Sequence, residues 1–393
     1  MSSNEDEAAH HLTDLFPTRS KVLLTGGGKQ FIERIGVDAA RQVVLGVMMG
    51  ENIRKETEPL TQRRIAQISG AMIALFARGY LEIPDFADKV SSLAVHQLTA
   101  GKNRNKSDLW IAQWILGLTS KSVQNVLRSN QQGLAAYVND FEAAVAYAAS
   151  RCQADIGKIQ MTLGFAANGQ ARQVELGWED IIRLTIAVGS QTLTIRGSEK
   201  SLYGKLFEKL ILGSFLTMLG FRRVTSSANT DTSGVFWLSD SSTDRESDAT
   251  LLLQPGKLAR FDIGFIGVGN SEISKDKLSR YEREQEISGN RHNSVTFIVV
   301  DRLQATSKTQ QAAERIGAEI VQMSMQFWPR ELAQRLGKRL GVQHELQTMP
   351  DSQIAGYLRT QLATIPIQDF LADVSLDRLE NAVEQDEPAG AEP

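Results

Sequence analysis

In the run ARFDIGFIG, residues 259–267, Phe261, Ile263 and Phe265 alternate onto one face of an extended chain and Asp262 falls on the other. Asp is a poor strand former, so an acid inside such an apolar run points to a specific task. Upstream, LLLQ at 251–254 and VFWL at 235–238 read as short strands, with the polar run DSSTDRESD at 240–248 as the loop between them. Before these come a long apolar helix, Leu202–Leu219, and a strand at Phe221–Val224. Downstream, Lys277–Gln285 is charged and helical, and VTFIVV at 295–300 is a strong strand. Helix Thr309–Ile316, strand Ala318–Met323 and helix Pro329–Leu340 follow. This alternation over residues 197–342 predicts an α/β fold, a mixed sheet with helices on both faces.

The N-terminal portion reads differently. Residues 17–155 are mainly helical, with apolar residues at three- and four-residue spacing in Thr61–Arg78 and Gln131–Ser150. Residues 156–196 read as a small β-rich connector, with strand-like IQMTLGF (159–165) and TLTIRG (beginning at Thr192) around a helix near Trp178–Ala187. Residues 1–16 read as an acidic disordered tail and 346–393 as an acidic C-terminal segment whose final run, NAVEQDEPAGAEP (381–393), is disordered.

The formal net charge of −3 hides an uneven distribution. Residues 1–16 hold four acids and no Lys or Arg, and residues 369–393 hold eight acids and one Arg. The remaining body has 34 acids against 42 bases, a net of about +8, which suits a polyanion partner as well as it suits any solvated protein with acidic tails. The single cysteine, Cys152, excludes an internal disulfide and a cysteine metal cluster. No window has 18 uninterrupted apolar residues and the N-terminus lacks a secretion signal, so the expected compartment is the cytoplasm. The five histidines are scattered and suggest no zinc site, and TGGGK (25–29) lacks the spacing of a phosphate loop.

Three features carry chemistry. Glu208 lies in GKLFEKLILGSFLTMLGF (204–221), where a buried carboxylate is costly unless paired or metal-linked. The alternative places it at a solvent edge beside Lys205 or Lys209. Asp262 is the second feature. The third is Glu272, ten residues on in GNSEISKDK (269–277), which a short turn could fold back beside Asp262; an ordinary turn with a helix cap is the plainer reading. Two acids on one cation suit phosphodiester hydrolysis, because Mg²⁺ offsets phosphate charge and activates water.

A further element is the stretch Ile111–Ser129, IAQWILGLTSKSVQNVLRS, which reads as a helix-turn-helix with Gly117 in the turn, or as two plain consecutive helices. Ser120, Lys121, Ser122, Gln124, Asn125 and Arg128 would then offer donors and acceptors to base edges and phosphates. Lys102, Arg104 and Lys106 just before it suit phosphate contacts. Gln113 sits where such motifs usually have a small residue.

The order helix-with-Glu, strands, strand-with-Asp, then Glu and Lys is similar to the PD-(D/E)XK nuclease core. The runs VLLTGGGKQFIERIG (22–36) and FDIGFIGVGNSEISKDKLSRYERE (261–284) resemble the CfrBI-type restriction endonucleases. That resemblance implies a nuclease core over 197–345, metal ligation by Asp262 and Glu272, Glu208 as an accessory carboxylate, and a nearby lysine. Ser274 stands where the pattern has lysine. Lys275 would face the other way on a regular strand unless a bulge turned it back, and Lys277 is the next cation. The implied activity is a type II restriction endonuclease cutting both strands of double-stranded DNA at a short, palindromic sequence. Mg²⁺ is its cofactor, a homodimer its form, and a cognate methyltransferase belongs to its system without binding it. The rivals are a non-catalytic, degenerate-nuclease DNA-binding protein, which the missing lysine at 274 favours, and a structure- or modification-specific nuclease.

Overall fold

A computed structural model describes residues 11–24, 28–99, 106–127, 131–167, 170–224, 233–239, 247–265, 293–301 and 318–372. The chain divides into two compact units, residues 1–25 with 60–199 and residues 26–59 with 200–393. Two helices run through that division: α4, Ile53–Glu82, and α9, Trp178–Met218.

The first unit is helical apart from one hairpin. Its helices are α1 (Leu12–Leu15), most of α4, α5 (Phe86–Thr99), α6 (Lys106–Ile115), α7 (Ser120–Leu127), α8 (Gln131–Ile156) and the first half of α9. They enclose one core in which Met72, Leu75, Phe76, Trp114 and Leu116 are fully buried. Strands β1 (Met161–Ala167) and β2 (Gln170–Leu176) pair antiparallel. Two expectations are corrected here. Leu12, Leu15 and Phe16 are buried, so the N-terminal segment is not acidic tail throughout. TLTIRG is helical, not a strand. Its threonine hydroxyls donate to the carbonyls four residues back (Thr192 to Val188, 2.9 Å; Thr194 to Ser190, 2.9 Å), and Ile195 is fully buried, so packing overrides β-branched propensity.

The second unit holds α2 (Gly28–Ile35), α3 (Val37–Met48), the C-terminal half of α9 and a six-stranded sheet. The strands are β3 (Arg222–Arg223), β4 (Val235–Leu238), β5 (Ala249–Gln254), β6 (Lys257–Gly264), β7 (Asn293–Val300) and β8 (Glu319–Gln322), in spatial order β3-β4-β5-β6-β7-β8. β4, β5 and β6 run antiparallel in turn, whereas β3 pairs parallel with β4, and β6, β7 and β8 are parallel. The fold is thus mixed α/β, as the alternation of patterns predicts. β7 is buried from Val295 to Val300, as befits a parallel strand with two covered faces. Phe261 and Phe297 stack across β6 and β7 at 5.3 Å between ring centroids.

On α9, Leu206, Phe207, Leu210, Ile211 and Phe215 are fully buried at helical spacing. Helix α10, Trp328–Leu340, adds Trp328, whose indole N–H donates to the Val47 carbonyl at 2.8 Å. The stretch 346–371, expected to be acidic tail, folds into this unit instead. Helix α11, Asp351–Thr364, buries Ile354, Leu358 and Leu362, and Phe370 presses against Gly213. The acidic run begins only at Asp369, so the apolar spacing before it decides the local structure. The helices expected at 277–285 and 309–316 lie outside the described residues.

Candidate active site

Strands β5 and β6 are joined by the two-residue turn Pro255-Gly256, with Gly256 at φ +80°. Pro first and a left-handed Gly second is the composition of a type II turn. The turn pairs Gln254 with Lys257, but the register then shifts between Leu252 and Gln254, so Ala249 stands opposite Phe261. Carried one residue further, the shifted register sets Asp248 opposite Asp262. Asp248 Oδ2 accepts the Ile263 backbone N–H at 2.7 Å, which fixes it there.

Without the shift, Asp248 would face Ile263 and point to the opposite side of the sheet. A bulge re-aims a side chain in this way. If that register continues by one residue, the two carboxylates share a face of neighbouring strands. Two carboxylates so placed are a candidate pair of oxygen ligands for a divalent cation. A backbone N–H already holds one Asp248 oxygen. Among the described residues no group of three or more His, Cys, Asp or Glu could hold a metal ion. A two-carboxylate site is nonetheless what Mg²⁺ uses when water and substrate phosphate complete its octahedron.

Glu208 is half-buried on α9, inside the second unit, and it has interaction partners. Its neighbour Lys209 is buried, with Nζ donating to the Ser239 carbonyl at the end of β4. The position two residues beyond Asp262 on the same strand is Gly264, which offers no side chain. Glu272, Ser274, Lys275 and Lys277 lie outside the described residues. Among the described residues, the acid nearest in register to Asp262 on the neighbouring strand is Asp248, which composition alone assigns to a polar loop.

In the first unit the stretch 111–127 forms helix, turn and helix. Gly117 takes φ +71°, and Leu116, Leu118 and Val123 are buried. Thr119 caps α7, its hydroxyl accepting the Ser122 N–H at 3.3 Å. Gln113 is buried, and its amide oxygen accepts the Ser120 hydroxyl at 3.1 Å, which explains a large polar residue where a small one is usual. Tyr137 donates to the Leu116 carbonyl at 2.7 Å, and burial pushes its phenol pKa up, so it remains a donor. Lys121 is exposed and Ser122 half-buried. Gln124 and Asn125 lie within α7, while Arg128 lies outside the described residues.

A β-carbon at Gly117 would meet Ile186 Cγ2 at 2.9 Å, on a backbone that L-residues rarely adopt. Gly117→Ala is expected to destabilise the protein by about 1–2 kcal/mol from backbone handedness alone. Chemical denaturation checks this, and an unchanged midpoint would contradict the turn geometry.

The family model described as "CfrBI restriction endonuclease" matches residues 37–308. The chain belongs to the CfrBI restriction endonuclease family. The type II restriction enzyme CfrBI of Citrobacter freundii is 34% identical over 361 residues, covering 91% of this chain and 97% of that protein. No solved structure matches. As a CfrBI-family endonuclease the protein is a site-specific deoxyribonuclease acting on double-stranded DNA, in a family that generally uses a divalent metal. Among its described residues no helix is long and apolar enough to cross a membrane.

Proposed function

We propose that the protein hydrolyses both strands of DNA at a short palindromic sequence, with Mg²⁺ held between Asp248 and Asp262. What supports this is the bond from the Ile263 N–H to Asp248 and a β5–β6 register that ends at Ala249 and Phe261, one residue short of the two acids. Bound there, the metal offsets phosphate charge and lowers the pKa of a coordinated water. The chain's own part is to hold the two carboxylates rigidly on paired strands, so that little reorganisation accompanies the reaction. Glu208, half-buried on α9, is the accessory acid in this reading, and Glu272 remains a further candidate ligand. Two copies of the chain would match the two-fold symmetry of a palindrome. A methyltransferase of the same specificity would protect the host sites without binding this protein.

The test is digestion of unmethylated DNA with Mg²⁺ and with chelator. Discrete fragments that depend on Mg²⁺ are expected. A smear, or fragments that survive chelation, would contradict the reading.

Sequence reading is assigned in part to residues 111–129. The hydrogen bonds among Thr119, Ser120, Ser122 and Gln113 set the start of α7, and Lys121 beside them reaches solvent. Gln and Asn pair with adenine and Arg with guanine, each pair worth about 1–3 kcal/mol of discrimination. Gln124→Ala, Asn125→Ala and Arg128→Ala should each narrow the gap between cognate and random DNA by about that amount, measured by competition in Ca²⁺. Lys121→Ala, and Ser122→Ala as a phosphate contact, should weaken both alike and flatten the salt dependence. If the specificity ratio holds in all of them, recognition lies elsewhere.

A further inference from the structure

We infer that Lys209 is the cation that acts on the scissile phosphate beside the acid pair. This rests on the reading of Asp248 and Asp262 as the metal-binding acids. Two carboxylates repel the phosphate they must act on, and charge rises further on its oxygens as water adds. A fixed positive group at that place offsets both effects. Strand β6 cannot supply it two residues past Asp262, where Gly264 stands.

Lys209 is placed to do so. It projects from α9, where its neighbours Leu206, Phe207, Leu210 and Ile211 are fully buried, and it is itself only 7% exposed. An ammonium in such a setting is costly to bury, and an apolar side chain would pack there at less cost. Its Nζ donates to the Ser239 carbonyl. Ser239 in turn donates its N–H to the Asp248 carbonyl at 3.1 Å. In an antiparallel hydrogen-bonded pair the N–H and C=O of one residue face the same neighbour. The Ser239 carbonyl therefore faces β5, and the ammonium it accepts from approaches on the Asp248 side. Ser239 and Asp248 are bonded neighbours at the ends of β4 and β5, and Asp262 is the residue next after the β5–β6 pair that closes at Phe261.

The ammonium donates to a non-bridging oxygen of the phosphate held against the acids, and it stays protonated throughout. Water oxygen forms the new P–O bond, the P–O bond to the leaving sugar oxygen breaks, and the leaving oxygen takes up a proton of that water. Among the described residues, Arg260, half-buried two residues before Asp262 on the same strand face, is a rival cation; Lys275 and Lys277 lie outside them.

The experiment compares Lys209→Gln, Lys209→Arg, Arg260→Met, Asp248→Asn and Asp262→Asn in the full-length protein. The substrate is a linear DNA carrying one mapped cleavage site, under single-turnover conditions in Mg²⁺. Gln retains a donor for the Ser239 carbonyl without the charge, so a purely structural lysine predicts near-normal cleavage in Lys209→Gln. The inference predicts a loss of about 100-fold or more, the scale of losing one donor to a developing oxyanion. The melting temperature should not fall, DNA binding in Ca²⁺ should weaken far less than cleavage, and Lys209→Arg should recover at least tenfold of the loss. Cleavage by Lys209→Gln close to wild type, with both Asp variants inactive, overturns the inference and leaves the acid pair standing. So does a loss confined to Arg260→Met. Wild-type cleavage by both Asp variants overturns the acid pair itself. If Lys209→Gln fails to fold, Lys209→Arg decides: a folded Arg variant without cleavage also overturns the inference.

Discussion

Asp248→Asn and Asp262→Asn are each expected to lower cleavage in Mg²⁺ by at least about 10³-fold while leaving Ca²⁺-supported DNA binding intact. The size follows from the arithmetic of the barrier, in which about 1.4 kcal/mol is a factor of ten. Losing one of two charged ligands removes several kcal/mol of charge stabilisation at the phosphate. Neither change alters volume, and the amide oxygen of Asp248→Asn could still accept the Ile263 N–H that Asp248 accepts at 2.7 Å. Stability should therefore hold. Single-turnover cleavage beside a denaturation curve separates the two effects. Undiminished cleavage in either variant contradicts the assignment.

The second large effect lies in the helical unit. Arg64 and Glu199 are 3% and 1% exposed and pair at 3.1 Å. Arg64 also donates from Nε and Nη2 to the Leu23 carbonyl, at 3.0 and 2.6 Å. One guanidinium thus ties α4, α9 and the segment before α2 together. Arg64→Met would leave the Glu199 carboxylate buried without this guanidinium, and such a break costs about 3–5 kcal/mol. The double variant Arg64→Met/Glu199→Leu should recover most of that, because replacing both charges with apolar groups is often close to neutral. Denaturation of wild type, Arg64→Met, Glu199→Leu and the double variant gives the coupling directly. A single Arg64→Met variant within about 0.5 kcal/mol of wild type would show that the pair does not matter.

Much of the sheet was legible in the sequence, because alternation along single strands is a local signal. VFWL and VTFIVV fall on β4 and β7, and ARFDIGF marks β6 with Asp262 opposite the buried Phe261 and Ile263 face. Glu208 likewise falls on the helix where the apolar pattern put it.

Asp248 was not legible, for a physical reason. It lies one residue before β5 at the end of a polar run, so local composition reads it as loop. Counting back from the Pro255-Gly256 turn pairs it with Ile263, on the wrong face. Only the register shift between Leu252 and Gln254 moves it opposite Asp262, and no single-strand pattern announces that shift. Lys209 escaped notice for a similar reason: on the helix it is one lysine beside one glutamate, and only the Ser239 contact relates it to the acids. TLTIRG misled because β-branched residues favour strands until a packed helix supplies the counterweight.

The pairing of Asp248 with Asp262 is tested most directly by metal binding without turnover. Calorimetric titration of Ca²⁺ into the protein bound to its mapped DNA site would compare wild type, Asp248→Asn, Asp262→Asn and Glu272→Gln. Ca²⁺ takes the same oxygen ligands as Mg²⁺. The account predicts that both Asp variants lose at least about tenfold in affinity, one ligand charge being worth about 1.4 kcal/mol or more in such a site. Wild-type affinity in Asp248→Asn, with loss in Asp262→Asn and Glu272→Gln, would contradict it and make Glu272 the partner of Asp262.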